Sequence, residues 1–298
     1  MSIRPNKTKQ QTQYPTGQVI AAFGRHYSIR TANDEIISCV MRGKKGGIAC
    51  GDRVEYQLTA AEQGVIETVC PRTSLLYRSD AFKEKIIAAN VTQVIIVVAA
   101  IPSFSEELIN RCLVAAESED IEVLIVLNKA DLVEPAHIAM ETLSLYRDLG
   151  YRVLPLCALQ DISALRPYLS NHLSVLAGQS GMGKSTLLNT LVPQARRATA
   201  EISLALDSGC HTTTHSQLYS IDDNSAIIDS PGFQEFGLNH ITEESLAWGF
   251  VEFHPYLGQC KFNNCRHITE PGCALVQAVQ QEKISSRRLG FYHRLLRR

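Results

Sequence analysis

A glycine-rich motif of the form G-x-x-x-x-G-K-[ST] begins at residue 178 and could bind the phosphates of a nucleotide. An apolar run at 173–177 precedes it and predicts a buried parallel strand, while residues 185–191 predict the start of a helix. Glycines in such a loop let backbone N–H groups surround phosphate oxygens, and the helix dipole favours the anion. The predicted phosphate-binding residues are Gly178, Gln179, Ser180, Gly181, Met182, Gly183, Lys184, Ser185 and Thr186.

Two side chains of this P-loop motif have specific chemistry. Lys184 can reach the β- and γ-phosphates, and the Ser185 hydroxyl can ligate Mg²⁺. The motif therefore predicts a nucleotide that binds together with Mg²⁺, but it does not say which base the nucleotide carries.

The segment Asn128-Lys129-Ala130-Asp131, after an apolar predicted strand, indicates the base. The Asp131 carboxylate can accept hydrogen bonds from the ring N–H and the exocyclic amine of guanine, and the Lys129 stem can lie over the ring. Adenine would leave a buried carboxylate unpaired, which is costly. The four-residue pattern is a weak signal alone, but beside a P-loop it predicts binding of GTP and GDP.

Three further segments complete a GTPase-like set. Cys157-Ala158, after a predicted strand, is a candidate for the loop that borders the base. A long polar segment holds Thr212, Thr213 and Thr214, any one of which can be the switch threonine that completes the Mg²⁺ shell. The run 229–232 (D-S-P-G) places a carboxylate that can hold Mg²⁺ through water and a glycine N–H that can sense the γ-phosphate.

The chain order of these segments is unusual, because ordinary small GTPases begin with the P-loop. Here the guanine motif comes first, which indicates a circular permutation. A permutation is tolerable because all these loops are expected at the carboxyl edge of one parallel sheet.

Phe233 stands where many GTPases have a water-orienting glutamine, and a phenyl ring can neither donate nor accept a hydrogen bond. We therefore expect slow intrinsic hydrolysis. His211 is the nearest candidate to position water, the alternative being a loop histidine without a catalytic role. The candidate catalytic residues are Lys184, Ser185, His211, Thr212, Thr213, Asp229 and Gly232.

Cys260, Cys265, His267 and Cys273 lie within fourteen residues, among Gly, Asn and Pro. This set predicts a tetrahedral structural Zn²⁺ site, and four protein ligands leave no open position for catalysis. Free buried thiols are the alternative. The remaining cysteines are scattered singly, which is typical of a reducing cytoplasm and not of a disulfide scaffold.

The chain is predicted to be α/β with three folded domains. Residues 1–16 predict a disordered arm, either an RNA-contacting tail or a solvated terminus. Five β-like runs within 17–72 (17–23, 26–30, 35–40, 53–58 and 64–69) predict an OB-fold β-barrel, which could bind an oligonucleotide or be purely structural. Residues 73–240 predict the permuted GTPase domain with a mainly parallel sheet, opening with a mixed-charge linker up to about residue 90. Residues 241–298 predict a helical zinc-binding domain.

The last residues predict a basic helix with an apolar stripe. The helix could dock on its own domain and direct cations toward RNA phosphates, or remain solvated. Its arginines are Arg287, Arg288, Arg294, Arg297 and Arg298.

Composition bounds the remaining classes. A chain of 298 residues can form two or three domains, and its net charge of −1 gives no general case for nucleic acid. No apolar run reaches the length of a membrane span, and the polar start contains no signal segment. We therefore expect a cytoplasmic protein. As a separate expectation, we predict a monomer.

Taken together, N-K-A-D before G-Q-S-G-M-G-K-S-T, then H-T-T-T, D-S-P-G-F and C-x₄-C-x-H-x₅-C, resemble the ribosome small-subunit-dependent GTPases, the RsgA (YjeQ) family. The resemblance covers about residues 17–298. It implies GTP hydrolysis to GDP and phosphate, stimulated by the small ribosomal subunit during its late maturation, with that subunit and its rRNA as partners.

The sequence departs from the family pattern at three positions. Cys210 stands where members often carry Arg or Gln, Met182 where Val is common, and Cys157 where Ser is usual. Two other functions stay open at this point: a GTP-sensing RNA clamp with incidental hydrolysis, and a GTPase of a protein or metal-delivery pathway.

Overall fold

The computed structural model describes residues 14–43, 47–80, 83–193, 195, 216–230 and 236–297. Most of the predicted N-terminal arm lies outside these ranges. So do several residues singled out above, namely Cys210, His211, Thr212, Thr213, Thr214, Gly232, Phe233 and Arg298.

Five strands close into a small N-terminal barrel, as predicted. They are β1 (Thr16–Phe23), β2 (His26–Thr31), β3 (Ile36–Met41), β4 (Arg53–Ala60) and β5 (Gln63–Val69). The strand order is β1-β2-β3-β5-β4, and β4 pairs back with β1. Only the β3–β5 pair is parallel. Alternate apolar residues such as Val19, Ile29 and Ile66 fill the interior, which explains the alternating pattern in the sequence.

The prediction of a linker after the barrel is wrong, because this segment forms a β-hairpin. Its strands are β6 (Leu75–Asp80) and β7 (Lys83–Ala89). Leu76, Ile87 and Ala88 are buried in the large core of the next domain. The hairpin therefore packs as part of the folded protein.

A six-stranded sheet forms the central domain. Its strands are β8 (Gln93–Ala99), β9 (Glu122–Asn128), β10 (Arg152–Pro155), β11 (Leu173–Ala177), β12 (Gln217–Ser220) and β13 (Ala226–Asp229). The spatial order is β10-β9-β8-β11-β13-β12, with all pairs parallel except β12–β13. A pairing of Ala21 with Gln217 joins β12 to β1, so the sheet and the barrel are continuous.

Helices cover both faces of this sheet. They are α1 (Glu106–Glu117), α2 (Val133–Asp148), a short α3 (Arg166–Leu169) and α4 (Lys184–Leu191). Alternate residues of β8 face opposite ways: Val94 and Ile96 share a core with α1 and α2, while Ile95 and Val97 share one with α3 and α4. A strand buried on both sides reads as a continuous apolar run, as this one does.

The C-terminal domain is helical. It contains α5 (Glu243–Trp248), a 3₁₀ segment (Val251–Tyr256), α6 (Ala274–Gln280) and α7 (Ser286–Leu296). Phe250, Phe253 and Tyr292 form an aromatic cluster with ring centroids 4.8–5.7 Å apart. The solvated alternative for α7 is wrong, since its apolar stripe is buried. Among the helices that the structure describes, none is long and apolar enough to cross a membrane.

Candidate functional site

The predicted nucleotide segments meet at one edge of the central sheet. The guanine motif starts at the end of β9, the P-loop follows β11, and Asp229 ends β13. Because these strands are parallel, their carboxyl ends lie side by side. The structure thus brings together segments that are up to a hundred residues apart in the chain.

Asn128 fixes three of these segments to one another. Its side chain is 3% exposed, and its Nδ2 donates to the Met182 carbonyl of the P-loop at 2.9 Å. Its Oδ1 accepts from the backbone N–H groups of Lys129 at 2.8 Å and Ala158 at 3.0 Å. One buried amide therefore holds the guanine motif, the P-loop and the 157–158 loop in register.

Lys129 contacts the P-loop, and Asp131 lies exposed two residues later. Lys129 has a positive φ of 60°, and its Nζ donates to the carbonyls of Ile101 at 2.7 Å and Gly181 at 3.0 Å. The stem of Lys129 thereby lies along the loop edge. Asp131 is exposed, so its carboxylate is accessible to a base.

The P-loop conformation depends on its glycines. Gly178 has a φ of 141°, and a Cβ at this position would lie 2.3 Å from the Val97 carbonyl oxygen. The loop ends at α4, whose first turn contains the exposed Ser185 and the half-buried Thr186. Backbone N–H groups at a helix start and an adjacent hydroxyl fit a phosphate with Mg²⁺.

Lys184 and Asp229 interact electrostatically at this edge. Burial lowers the pKa of Lys184, and the carboxylate of Asp229 opposes that shift. Burial also raises the pKa of Asp229, and Lys184 opposes that shift in turn. The Lys184 Nζ donates to the carbonyls of Gly178 and Gln179, the latter at 2.8 Å. A cation and a carboxylate at this edge suit a phosphate and its metal ion.

The predicted zinc ligands also come together. The ligand atoms of Cys260, Cys265, His267 and Cys273 all lie within 4.8 Å of one another. The His267 Nδ1 lies 3.4 Å from the Cys260 Sγ and 3.5 Å from the Cys273 Sγ, and these sulfurs are 4.0 Å apart. Zn–S bonds of about 2.3 Å imply sulfurs roughly 3.8 Å apart in a tetrahedron. The cluster therefore fits a four-coordinate metal ion such as Zn²⁺.

Glu270 supports this cluster, although the sequence did not single it out. Its carboxylate accepts from three backbone N–H groups, those of Arg266 at 3.1 Å, Ile268 at 2.8 Å and Thr269 at 3.1 Å. The backbone N–H of Glu270 itself, together with these three bonds, lowers the pKa of Glu270 to about 2. A lone acid within the turn-rich spacer between His267 and Cys273 was the available signal.

Comparison with known proteins identifies the family. The RsgA GTPase family model matches residues 69–239, more than half of the chain. The small ribosomal subunit biogenesis GTPase RsgA of Nitrosospira multiformis is 61% identical over 280 residues, covering 94% of this chain and 90% of the relative. The protein of the same name from Nitrosomonas europaea is 55% identical, covering 100% of this chain and 95% of the relative.

Solved structures agree with these relatives. YjeQ from Thermotoga maritima superposes with a TM-score of 0.73 at 32% identity, covering 94% of this chain and 96% of that one. YloQ, described as a circularly permuted GTPase, superposes with a TM-score of 0.71 at 28% identity, covering 97% and 96%. The resemblance drawn from the motifs and the predicted fold class are thereby confirmed. This chain is a GTPase, and it belongs to the RsgA GTPase family.

Proposed function

We propose that this GTPase binds the small ribosomal subunit and hydrolyses GTP to GDP and phosphate during late maturation of that subunit. The small subunit stimulates the hydrolysis. The relatives of this GTPase are named for small ribosomal subunit biogenesis, which supports this role. The observation that carries the nucleotide assignment is the buried Asn128 amide, because it joins the guanine motif, the P-loop and the 157–158 loop into one site.

Within this site, Asp131 reads the guanine edge and Lys129 lies over the base. Residues 157 and 158 border the base, and the backbone of 178–186 surrounds the phosphates. Mg²⁺ supplies charge neutralisation at the β- and γ-phosphates when it is bound. Ser185 and Asp229 are the residues that would hold it, directly and through water.

The hydrolysis step is assigned from the sequence alone. One of the three threonines Thr212, Thr213 and Thr214 would complete the Mg²⁺ coordination shell, and the Gly232 N–H would sense the γ-phosphate. His211 orients the attacking water, a role that Phe233 cannot perform.

The domains on either side of the GTPase domain bind the small ribosomal subunit. In this proposal, residues 17–72 form the OB-type domain, residues 73–240 the GTPase domain, and residues 241–298 a domain held by one structural Zn²⁺. The protein acts as a monomer in the cytoplasm and contacts rRNA through its barrel and C-terminal domain.

Hydrolysis rates measured with purified small subunits, large subunits and bare rRNA test this function. We expect slow hydrolysis by the protein alone and strong stimulation by small subunits only. The Lys184→Ala variant should be folded but inactive in every arm, because it lacks the phosphate cation. Equal rates with and without small subunits in single-turnover experiments would leave a GTP-sensing RNA clamp as the better description.

A further inference from the structure

We propose that Gln179 is a positioning residue that connects the phosphate loop to the C-terminal domain through helix α1. This inference rests on the proposed function, because it takes residues 178–186 as the phosphate site. The Gln179 Oε1 accepts a hydrogen bond of 2.8 Å from the backbone N–H of Ser105, the residue immediately before α1. The second residue of the P-loop is thus bonded to the start of a helix that is 74 residues away in sequence.

The backbone of Gln179 contacts the lysine of the P-loop. Its backbone carbonyl accepts from the Lys184 Nζ at 2.8 Å. A bound phosphate competes with this carbonyl for the same ammonium group. Phosphate binding therefore alters the forces on the Gln179 peptide, and the side chain transmits the change to Ser105.

Ser105 is well placed to pass this change into α1. Its hydroxyl accepts from the Leu108 N–H at 3.3 Å, which makes it the N-cap of the helix. Its own N–H is the group that Gln179 holds. A shift of Ser105 therefore moves the first turn of α1 rather than a flexible loop.

The first turns of α1 are bonded to the C-terminal helix α7. The Glu106 carboxylate pairs with Arg287 at 2.5 Å and accepts from the Tyr146 hydroxyl at 3.2 Å. One turn later, the fully buried Asn110 accepts from Arg288 and donates to the Tyr146 hydroxyl at 2.9 Å.

Arg288 then extends the connection into the C-terminal domain. Its guanidinium is 1% exposed and donates to both carboxylate oxygens of Glu252, at 2.5 Å and 3.1 Å. It also lies 4.5 Å from the Phe250 ring centroid. Because paired buried groups allow little movement, this joint is stiff.

Close packing between α5 and α1 is a third contact that joins the C-terminal domain to the GTPase domain. Gly249, which ends α5, lies so near α1 that a Cβ there would be 2.9 Å from the Val114 Cγ1. Helix α1 thus has the sheet on one face and the C-terminal domain on another. A displacement that starts at Gln179 is passed to α5 and α7.

Hydrogen exchange of the α7 amides, with and without a saturating non-hydrolysable GTP analogue and Mg²⁺, tests the proposal in the full-length protein. In the wild type we expect the analogue to slow exchange in residues 286–296 severalfold. Gln179→Met keeps the side-chain length but removes the acceptor, and Glu106→Gln removes the charge that Arg287 meets. Gln179→Met should lose most of this protection, and Glu106→Gln should lose part of it because the Arg288 contacts remain. Both variants should still be saturated with nucleotide.

Glu107→Gln is the matched control, because Glu107 neighbours Glu106 but its carboxylate pairs with Arg111 of the same helix. It should keep the wild-type response. Retention of full protection in Gln179→Met and Glu106→Gln would overturn the inference, as would bound nucleotide with no change in α7 of the wild type. Failure of the wild type to bind the analogue at all would instead overturn the proposed function, and the inference with it.

Discussion

Gly183 of the P-loop and Asn128 of the guanine motif lie in such close contact that a Cβ on Gly183 would be 2.2 Å from the Asn128 Nδ2. Gly183 also has a φ of 92°, a conformation that side chains disfavour. The Asn128 amide in turn holds the 157–158 loop. The shapes of the proposed phosphate site and of the proposed base site therefore depend on the same contact.

Gly183→Ala should consequently weaken GTP binding at least about tenfold, since the methyl displaces Asn128 from hydrogen bonds worth about 1 kcal/mol each. The backbone strain adds about 1–2 kcal/mol to the loss of folding stability. Titration with a fluorescent GTP analogue and urea unfolding measure the two effects.

Gly181→Ala is the control for strain alone. Gly181 has a φ of 81°, but the nearest described neighbour of a Cβ there would be Pro102, at an ordinary contact distance of 3.7 Å. It should lose similar stability and keep more of its GTP affinity. Equal loss of affinity in both variants would show that strain, and not the contact with Asn128, decides the site.

Local patterns in the sequence predicted most of the architecture. The alternation in β1–β5 reports burial directly, so these strands are found within two residues of their predicted ends. The continuous apolar run of β8 likewise reports that both faces of this strand are buried. The nucleotide motifs were equally visible, because each is a short run with fixed chemistry. The metal cluster was visible for the same reason.

Features that depend on distant partners could not be predicted. The β6–β7 hairpin resembled a linker because its sequence has mixed charges, while apolar residues such as Leu76 and Ile87 are buried by residues far away in the chain. Arg288 resembled a surface cation, yet its partners Glu252 and Asn110 are 36 and 178 residues away. No periodicity or motif encodes such a pairing.

The guanine assignment predicts a change of base preference. Asp131→Asn should weaken GTP binding about a hundredfold or more, because two charge-assisted hydrogen bonds to guanine are lost. It should improve binding of xanthosine triphosphate, whose exocyclic oxygen accepts from an amide. Titrating GTP and xanthosine triphosphate against the wild type and the variant measures this change of base preference. Unchanged preference for GTP in the variant would refute the role of Asp131.

The cysteine–histidine cluster predicts one zinc ion per chain. Cys265→Ser should lower the zinc content and loosen the C-terminal domain, because structural zinc sites contribute directly to folding. Elemental analysis of protein purified without chelators measures the metal, and limited proteolysis measures the loosening. GTP binding should survive, since none of the four ligands belongs to a nucleotide motif.

Cys70→Ser is the control for loss of a thiol. Cys70 is half-buried near the barrel and lies outside the metal cluster. This variant should keep its zinc and its resistance to protease. Wild-type protein without zinc, or equal zinc in the two variants, would contradict the assignment.

Substitutions of two adjacent arginines of α7 are expected to lower the stability of the protein by different amounts. Arg288→Met should lower the free energy of unfolding by about 3–5 kcal/mol, because it leaves the Glu252 carboxylate buried and unpaired. Arg287→Ala should cost only about 0.2–1 kcal/mol, since the Arg287 side chain is 49% exposed and solvent screens its pair with Glu106. Urea unfolding of the two variants and the wild type gives both values. Similar losses of unfolding free energy in the two variants would mean that Arg288 is not the main contact between α7 and the GTPase domain. The stiffness attributed to that contact would then have to come from packing alone.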